Sequence, residues 1–397
     1  MKNIKKIINV AITVIILSAC HLSNVDNSQS GDLPSVVDFT VEVDDVSEQI
    51  DISPLIENDV KIVKLETTDE CLISDIRQVD YVNGLIYIAD KASQTVLIFD
   101  ESGKYVGRVG KRGEGPGEYS RLGRFQVVDS HIYIMDDAVR QLYDYDLKTR
   151  IGIKLDIDDN ISFDSFYIMN GYLYLLSNNS SSFSIGSFNL FKYNMKTADV
   201  VYSLPFSEEL SKNHSTWGLL QYASRYDDEL LVMFANNDTI YSVTSESVAP
   251  RYVYHFSKRF MPAELRKKDG MKIMMTAMDK RYILGFDRIV NLKNHFIVKY
   301  GDVIVRSVLY DKRTDKYKVG NWLTLGDLGD FYMFHYHFTD NNEMIVMEPS
   351  GSFLSSWETI YSKSSFVRPQ DKKRFEEIYN STKEDDNPIV VLAKVKK

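Results

Sequence analysis

Four groups of residues have the types and spacing for chemistry. His335 and His337 stand two apart in a strand-forming run, so both imidazoles face one side. They could begin a metal site whose third ligand comes from elsewhere, with His131, His255 and His295 as candidates. The other reading is separate surface or core histidines. No metal is predicted, because neither a His-Glu-x-x-His nor a calcium-loop pattern occurs. Asp90, Asp136 and Asp137 follow hydrophobic runs. Sugar hydrolysis would need two carboxylates roughly 5–10 Å apart across a cleft. Turn capping, in which an Asp accepts backbone N–H bonds, is the simpler expectation, and Asp100 and Asp144 are assigned the same task.

The third group is the loop carrying Gly110, Gly113, Gly115 and Gly117 around Pro116. Its glycines permit φ > 0 and tight turns, and its N–H groups could cradle an anion beside Arg112. It lacks the Gly-Lys-Ser/Thr ending of a nucleotide-binding loop, and no helix follows, so a structural connector is favoured and no cofactor is predicted. The fourth group is aromatic. Tyr87, Tyr133, Tyr143, Tyr145, Tyr174, Tyr193 and Tyr241 recur within strands and are expected to pack sheet on sheet. Trp217 and Trp357, outside firm strands, are the better candidates for ligand stacking.

The elements that must position these residues repeat one unit. Gly84–Tyr119 contains three short β runs, Leu85–Ala89, Thr95–Phe99 and Lys104–Val109, separated by turn formers. With Asp75–Asp80 upstream they form a four-stranded antiparallel meander ending in the glycine-rich loop. The pattern returns at His131–Met135, Tyr172–Leu176, Leu230–Phe234, His295–Lys299 and Glu343–Met347. Repetition of this kind predicts an all-β fold, a six-bladed β-propeller of four-stranded antiparallel blades. The sixth blade has only three C-terminal strands, the last being Pro388–Val395. The N-terminal strand Val60–Leu65 is expected to complete it and close the ring.

Phe39–Val43 reads as a loose strand, Ser53-Pro54 as a short turn or helix, and Ser350–Ser365 as irregular. Helical insertions are expected near 261–281 and 371–381. A meander places its strand 2–3 and strand 4–1 connections on one face. That face gathers the predicted ligand-binding residues Lys91, Arg112, Glu118, Tyr119, Arg121, Arg140, Asn178, Trp217 and Asn236, with Glu114, Asp137, Asn179 and Asn237 nearby.

The 397 residues are 44% hydrophobic and 12% aromatic, ample for one large core, so 39–397 reads as a single domain. The net charge is −9 with dispersed cations, which argues against nucleic acid as a partner. Met1–Lys6 is basic and Ile7–Leu17 apolar, the order of an export signal too short to span a membrane. Leu17-Ser18-Ala19-Cys20 then resembles a bacterial lipobox, which would make residues 1–19 a signal peptide and Cys20 the lipidated residue. Residues 20–38 are polar and read as a flexible tether, so the membrane is met through the lipid alone. Cys71 is left without a thiol to pair with and is expected to be a small buried filler.

The connector GRVGKRGEGPGEY at Gly107–Tyr119 resembles that of the six-bladed β-propeller lipoproteins of gut Bacteroidetes, which look like distant relatives of NHL-repeat propellers. Ile86-Tyr87-Ile88-Ala89-Asp90, Asn237-Asp238-Thr239-Ile240-Tyr241 and Asn387-Pro388-Ile389-Val390-Val391-Leu392 support the likeness. The resemblance implies an exported, lipid-anchored propeller and carries no catalytic set.

The leading expectation is a non-catalytic binding or scaffold lipoprotein of the cell envelope, recognising a glycan or peptide on the loop face. The alternatives are a polysaccharide lyase or glycoside hydrolase near the central channel, and a protein-interaction component of an outer-membrane nutrient-uptake assembly. Convergence of Arg112, Tyr119, Arg140 and His335 would favour an enzyme. A broad apolar patch near 261–281 would favour the assembly component. Placement is expected at the outer membrane, with the periplasmic side favoured because no acidic run follows Cys20.

Overall fold

A computed structural model describes residues 35–180, 182, 185–207, 210, 222–266, 270–301, 304–339 and 342–396. The expected export signal, Cys20 and Trp217 lie outside the described residues. The strands form six mostly antiparallel sheets, and the chain is a six-bladed β-propeller. Blade one is Ile76–Val82, Leu85–Asp90, Thr95–Asp100 and Tyr105–Val109. Its first hairpin turns at Asn83 and Gly84, with φ of 53° and 78°, the pair that a two-residue turn with two left-handed positions demands. Asn170 and Gly171 repeat the device in blade three, at 53° and 77°.

The chain divides into two compact units. One comprises Met1–Asp44, Asp159–Asn291 and Val298–Val303. It contains blade three, from Ser165–Met169 to Val200–Pro205, and blade four, from Ala223–Tyr226 to Val248–Phe256. Tyr174, Leu176, Leu190, Leu230, Val232 and Phe234 pack these two sheets together. The strand Val37–Val41 lies parallel on the outer strand of blade four, a fifth strand covering an edge that would otherwise be bare. The sequence marked it as a strand but not its partner.

Pro262 opens the insertion that follows, and among the described residues it is helical over Ala263–Arg266 and Gly270–Lys280, as expected. Ile273 and Ala277, one turn apart, bury against Met261, while Met275 and Met278 face outward.

The other unit, Asp45–Asp158, Leu292–Ile297 and Ile304–Lys397, contains blades one, two and six and the outer part of blade five. Here the closure expected from sequence is present. Ile56–Lys64 runs antiparallel to Ile389–Val395, with Lys64 opposite Ile389 and Val60 opposite Ala393. Val63, Ile345, Met347, Val390 and Leu392 from blade six then pack on Val79, Ile86, Ile88, Leu97 and Phe99 from blade one. Asn387 sits just before the last strand, wholly buried, and binds the chain at Glu66, Cys71 and Ile73. Cys71 is buried with a free thiol.

The tail differs from expectation at two points. Ser350–Thr359 is a helix rather than irregular chain, followed by a 3-10 turn at Tyr361–Lys363. Its serines disguise it, because their propensity is low. Phe353, Trp357 and Tyr361, each four residues apart, supply the buried face that stabilises it. Trp357, a predicted ligand contact, is therefore a core residue, 7% exposed and stacked on Tyr379 with centroids 5.8 Å apart.

Candidate functional site

The exit of blade one and the entry of blade two converge as the meander geometry requires. The loop between Val109 and Leu122 folds over the turn at Lys91–Gln94. The Tyr119 hydroxyl donates to the Gln94 carbonyl at 2.7 Å, and the Gln94 side-chain oxygen accepts from Leu122 N at 2.8 Å. Below this, Gln78 grips the backbone of Phe125 from both sides, at 2.7 and 3.1 Å.

The glycine-rich loop behaves as a connector. Gly110 and Gly117 have φ of 85° and 74°, and a Cβ on Gly117 would lie 2.2 Å from the Gly152 carbonyl oxygen. Gly113 and Gly115 instead make room for the Glu118 side chain. Gly115 N donates to the Glu118 carboxylate at 2.9 Å, and Lys111 Nζ lies 2.6 Å from it. Lys111 and that N–H hold the Glu118 carboxyl below its ordinary range. The loop thus supplies its own anion, and the Gly113, Glu118 and Tyr119 N–H groups are spent on carbonyls within it.

Asp90 and Asp136 cap as expected. Asp90 accepts from the backbone of Ser74, Asp75 and Ser93. Burial pushes its carboxyl up, but these bonds outweigh it and the carboxyl sits below its usual range. Asp136 accepts from Ser120, Arg121 and Ala138. Asp100 caps Ser102 and Lys104. Asp144 does not cap a turn: it lies within the strand and meets His131 Nδ1 at 2.7 Å, and Asp146 caps in its place.

The histidines face different carboxylates. His255 lies 3.4 Å from Asp38, His295 3.8 Å from Asp311, and His337 3.7 Å from Asp80. Burial pushes Asp80 up to about 7. Among the described residues no three His, Cys, Asp or Glu gather to hold a metal. Tyr87, Tyr143 and Tyr145 pack between blades one and two, and Tyr174 and Tyr241 between blades three and four, as their recurrence predicts.

The predicted ligand-binding residues divide by exposure. Lys91, Arg112 and Arg121 are exposed, Glu118, Arg140 and Asn236 half-buried. Tyr119 and Asn178 are wholly buried. Burial carries the Tyr119 hydroxyl far above its ordinary range. Asn178, in the other unit, accepts from Ala235 N at 2.7 Å and donates to the Tyr222 hydroxyl at 3.3 Å. Both side chains hold sheets together. Lys91 pairs with Asp75 at 3.2 Å, and Arg140 occupies a turn at φ 54°.

The sharpest electrostatic feature of this region was not predicted as a group. Arg77 forms an ion pair with Asp137, and Arg121 donates to the Asp137 carbonyl at 2.8 Å. Burial raises the Asp137 carboxyl, and the opposing pull comes from Arg77, Arg121 and Arg124. Arg77 pairs directly with the carboxylate, Arg121 and Arg124 act on it through their charge, and Arg77 Nε is buried without a hydrogen-bond partner among the described residues. A signal existed: Ile76-Arg77-Gln78-Val79 and Gly123-Arg124-Phe125-Gln126 place an arginine at equivalent points of successive innermost strands.

A family model described as a domain of unknown function (DUF4934) matches residues 34–394. Among solved structures, a Bacteroides fragilis protein described as exported matches with a TM-score of 0.69 and 18% identity. The match covers 91% of this chain and all of that one, 100%. A member of the duf4221 family from Bacteroides vulgatus matches with a TM-score of 0.48 and 10% identity, over 86% of this chain and 97% of its own. At 18% identity the first likeness is one of fold. No curated protein matches the chain.

Proposed function

The chain belongs to the DUF4934 family, and from that premise we propose that it is a non-catalytic binding lipoprotein of the bacterial cell envelope. Its ligand is an acidic glycan held on the loop face of blades one and two. The observation that carries the reading is the guanidinium charge gathered there: Arg77 pairs with Asp137, and Arg121 and Arg124 also act on that carboxylate. Guanidinium forks pair with carboxylates in two parallel bonds, so a uronate group suits the exposed Arg121 guanidinium beside this ion pair. Exposed Arg112 adds a further cation on this face.

Binding is favoured over hydrolysis or elimination because Tyr119, the tyrosine best placed for proton transfer, is sealed inside with its hydroxyl committed. Lipid attachment at Cys20 and an outer-membrane location, periplasmic side favoured, belong to the same proposal and rest on the lipobox-like sequence. No helix among the described residues is long and apolar enough to cross a membrane. The test is calorimetric titration with oligogalacturonate and with a neutral oligosaccharide. Binding of the acidic sugar alone, weakened about tenfold or more by Arg121→Gln, is expected. Equal binding of both sugars, turnover of either, or an unchanged Arg121→Gln would overturn the proposal. Detergent-phase partition of the wild type, lost in Cys20→Ala, tests the anchor.

A further inference from the structure

A concavity lies within the same unit, and none of Arg77, Arg121 and Arg124 lines it. It is about 210 Å³ in volume and is lined by Pro54, Leu55, Lys293, His295, Arg313 and Lys396 among others. Small-molecule pockets run from roughly 300 to 1,000 Å³, so this one suits a compact head group. Four chain segments form it. These are the turn Ser53–Leu55, the hairpin Leu292–Asn294 of blade five, the turn holding Arg313, and the end of the last strand at Val395 and Lys396.

Its charge is unusual for a chain of net charge −9. The Arg313 fork occupies both oxygens of Asp311, at 3.0 and 2.9 Å, which neutralises that pair internally. Lys396 Nζ donates to the Pro54 carbonyl at 2.9 Å, a bond that positions its ammonium, and no carboxylate among the described residues pairs with it. Lys312 Nζ likewise donates to the Leu292 carbonyl at 2.7 Å beside the cavity. Lys293 is exposed at the hairpin tip and has no ion-pair partner among the described residues. The Lys396 ammonium is thus held at the cavity by a backbone carbonyl.

We propose that this pocket is a second binding site, independent of the loop face, for a tetrahedral oxyanion: a phosphate or sulfate group held by Lys293, Lys396 and the free edge of Arg313. Lysine and arginine together suit such a group, one as a point charge and the other as a planar fork. The oxyanion comes from a soluble phosphorylated or sulfated ligand or from a lipid head group, and the experiment separates the two sources.

His295 provides the readout. It lines the pocket, and burial holds its imidazole below the ordinary range against the pull of Asp311. A bound oxyanion beside it favours the protonated ring. The mature chain is titrated with inorganic phosphate and with sulfate while the His295 ring is followed by NMR across pH. A parallel arm measures sedimentation with phosphatidylglycerol or phosphatidylcholine vesicles. Saturable binding with an upward His295 titration, weakened about tenfold in Lys293→Gln, is the expected result. Response to both soluble anions identifies a free oxyanion. Response only to the anionic vesicles, lost in Lys293→Gln, identifies the lipid. No saturable response in either arm overturns the proposal, as does a response that Lys293→Gln and Arg313→Gln leave unchanged.

Discussion

Replacing Asn387 with alanine tests how the propeller is fastened. Its side chain is 0% exposed and makes three hydrogen bonds to backbone that precedes blade one. Nδ2 donates to the carbonyls of Glu66 at 2.7 Å and Cys71 at 2.9 Å, and Oδ1 accepts from Ile73 N at 2.8 Å. Alanine removes all three and leaves the Ile73 N–H and the Cys71 carbonyl without their partner, while the Glu66 carbonyl keeps the Cys71 thiol at 3.2 Å. At about 1 kcal/mol net per bond the loss is about 3 kcal/mol, rising toward ~5 kcal/mol if water cannot enter. The backbone N–H of Asn387, bound to Thr67 Oγ1 at 2.9 Å, is untouched. Equilibrium denaturation in guanidinium, with the slope held constant, measures the difference. The proper control is Lys64→Ala, which breaks the partly exposed Lys64–Asp386 pair beside the same strands, 2.8 Å long. It is expected to cost below about 1 kcal/mol. If Asn387→Ala cost no more than that control, the reasoning that buried amide bonds fasten the two ends would fail.

Two further outcomes follow from the same structure. Gly117→Ala places a Cβ 2.2 Å from the Gly152 carbonyl at φ 74°, so it is expected to destabilise the chain by about 2 kcal/mol or more. Thermal melting checks this, and an unchanged midpoint would show that the loop can relax. Glu348 is wholly buried, and burial pushes its carboxyl from 4.5 up to about 8, against hydrogen bonds from Ser356 and Tyr361, both 3.0 Å. The folded chain therefore keeps a proton that the unfolded chain releases. Its contribution is full below about pH 4.5, declines as pH rises, and is gone above about 8. Glu348→Gln should flatten stability between those limits and gain on the order of 1–3 kcal/mol at pH 8. Denaturation curves at pH 5 and pH 8 decide it, and equal slopes for both proteins would refute it.

Much of this was legible in the chain because the information is local. Asn83-Gly84 and Asn170-Gly171 specify hairpin turns by their own backbone preferences. Asp90 and Asp136 cap turns within reach of their own segments. Even the closing strand was readable, since a blade short of one strand and an unassigned strand at the other end satisfy each other's hydrogen bonds. Asp144 was misread because a residue two places along, Asp146, is equally suited to the turn, and only the strand register separates them. The helix Ser350–Thr359 escaped notice because its stability comes from Phe353, Trp357 and Tyr361 packing on residues outside it.

Local hydrogen-bonding preference and strand periodicity belong to neighbouring residues, so the amino-acid order alone determined the blade count, the turns and the closure. Which surface carries charge is different. Arg77 and Asp137 are sixty residues apart, |i−j| = 60, and Lys293 and Lys396 meet only because the last strand ends beside a hairpin of blade five. Coulomb energy depends on distance through space, not along the chain, and the packing of separate blades decided those distances.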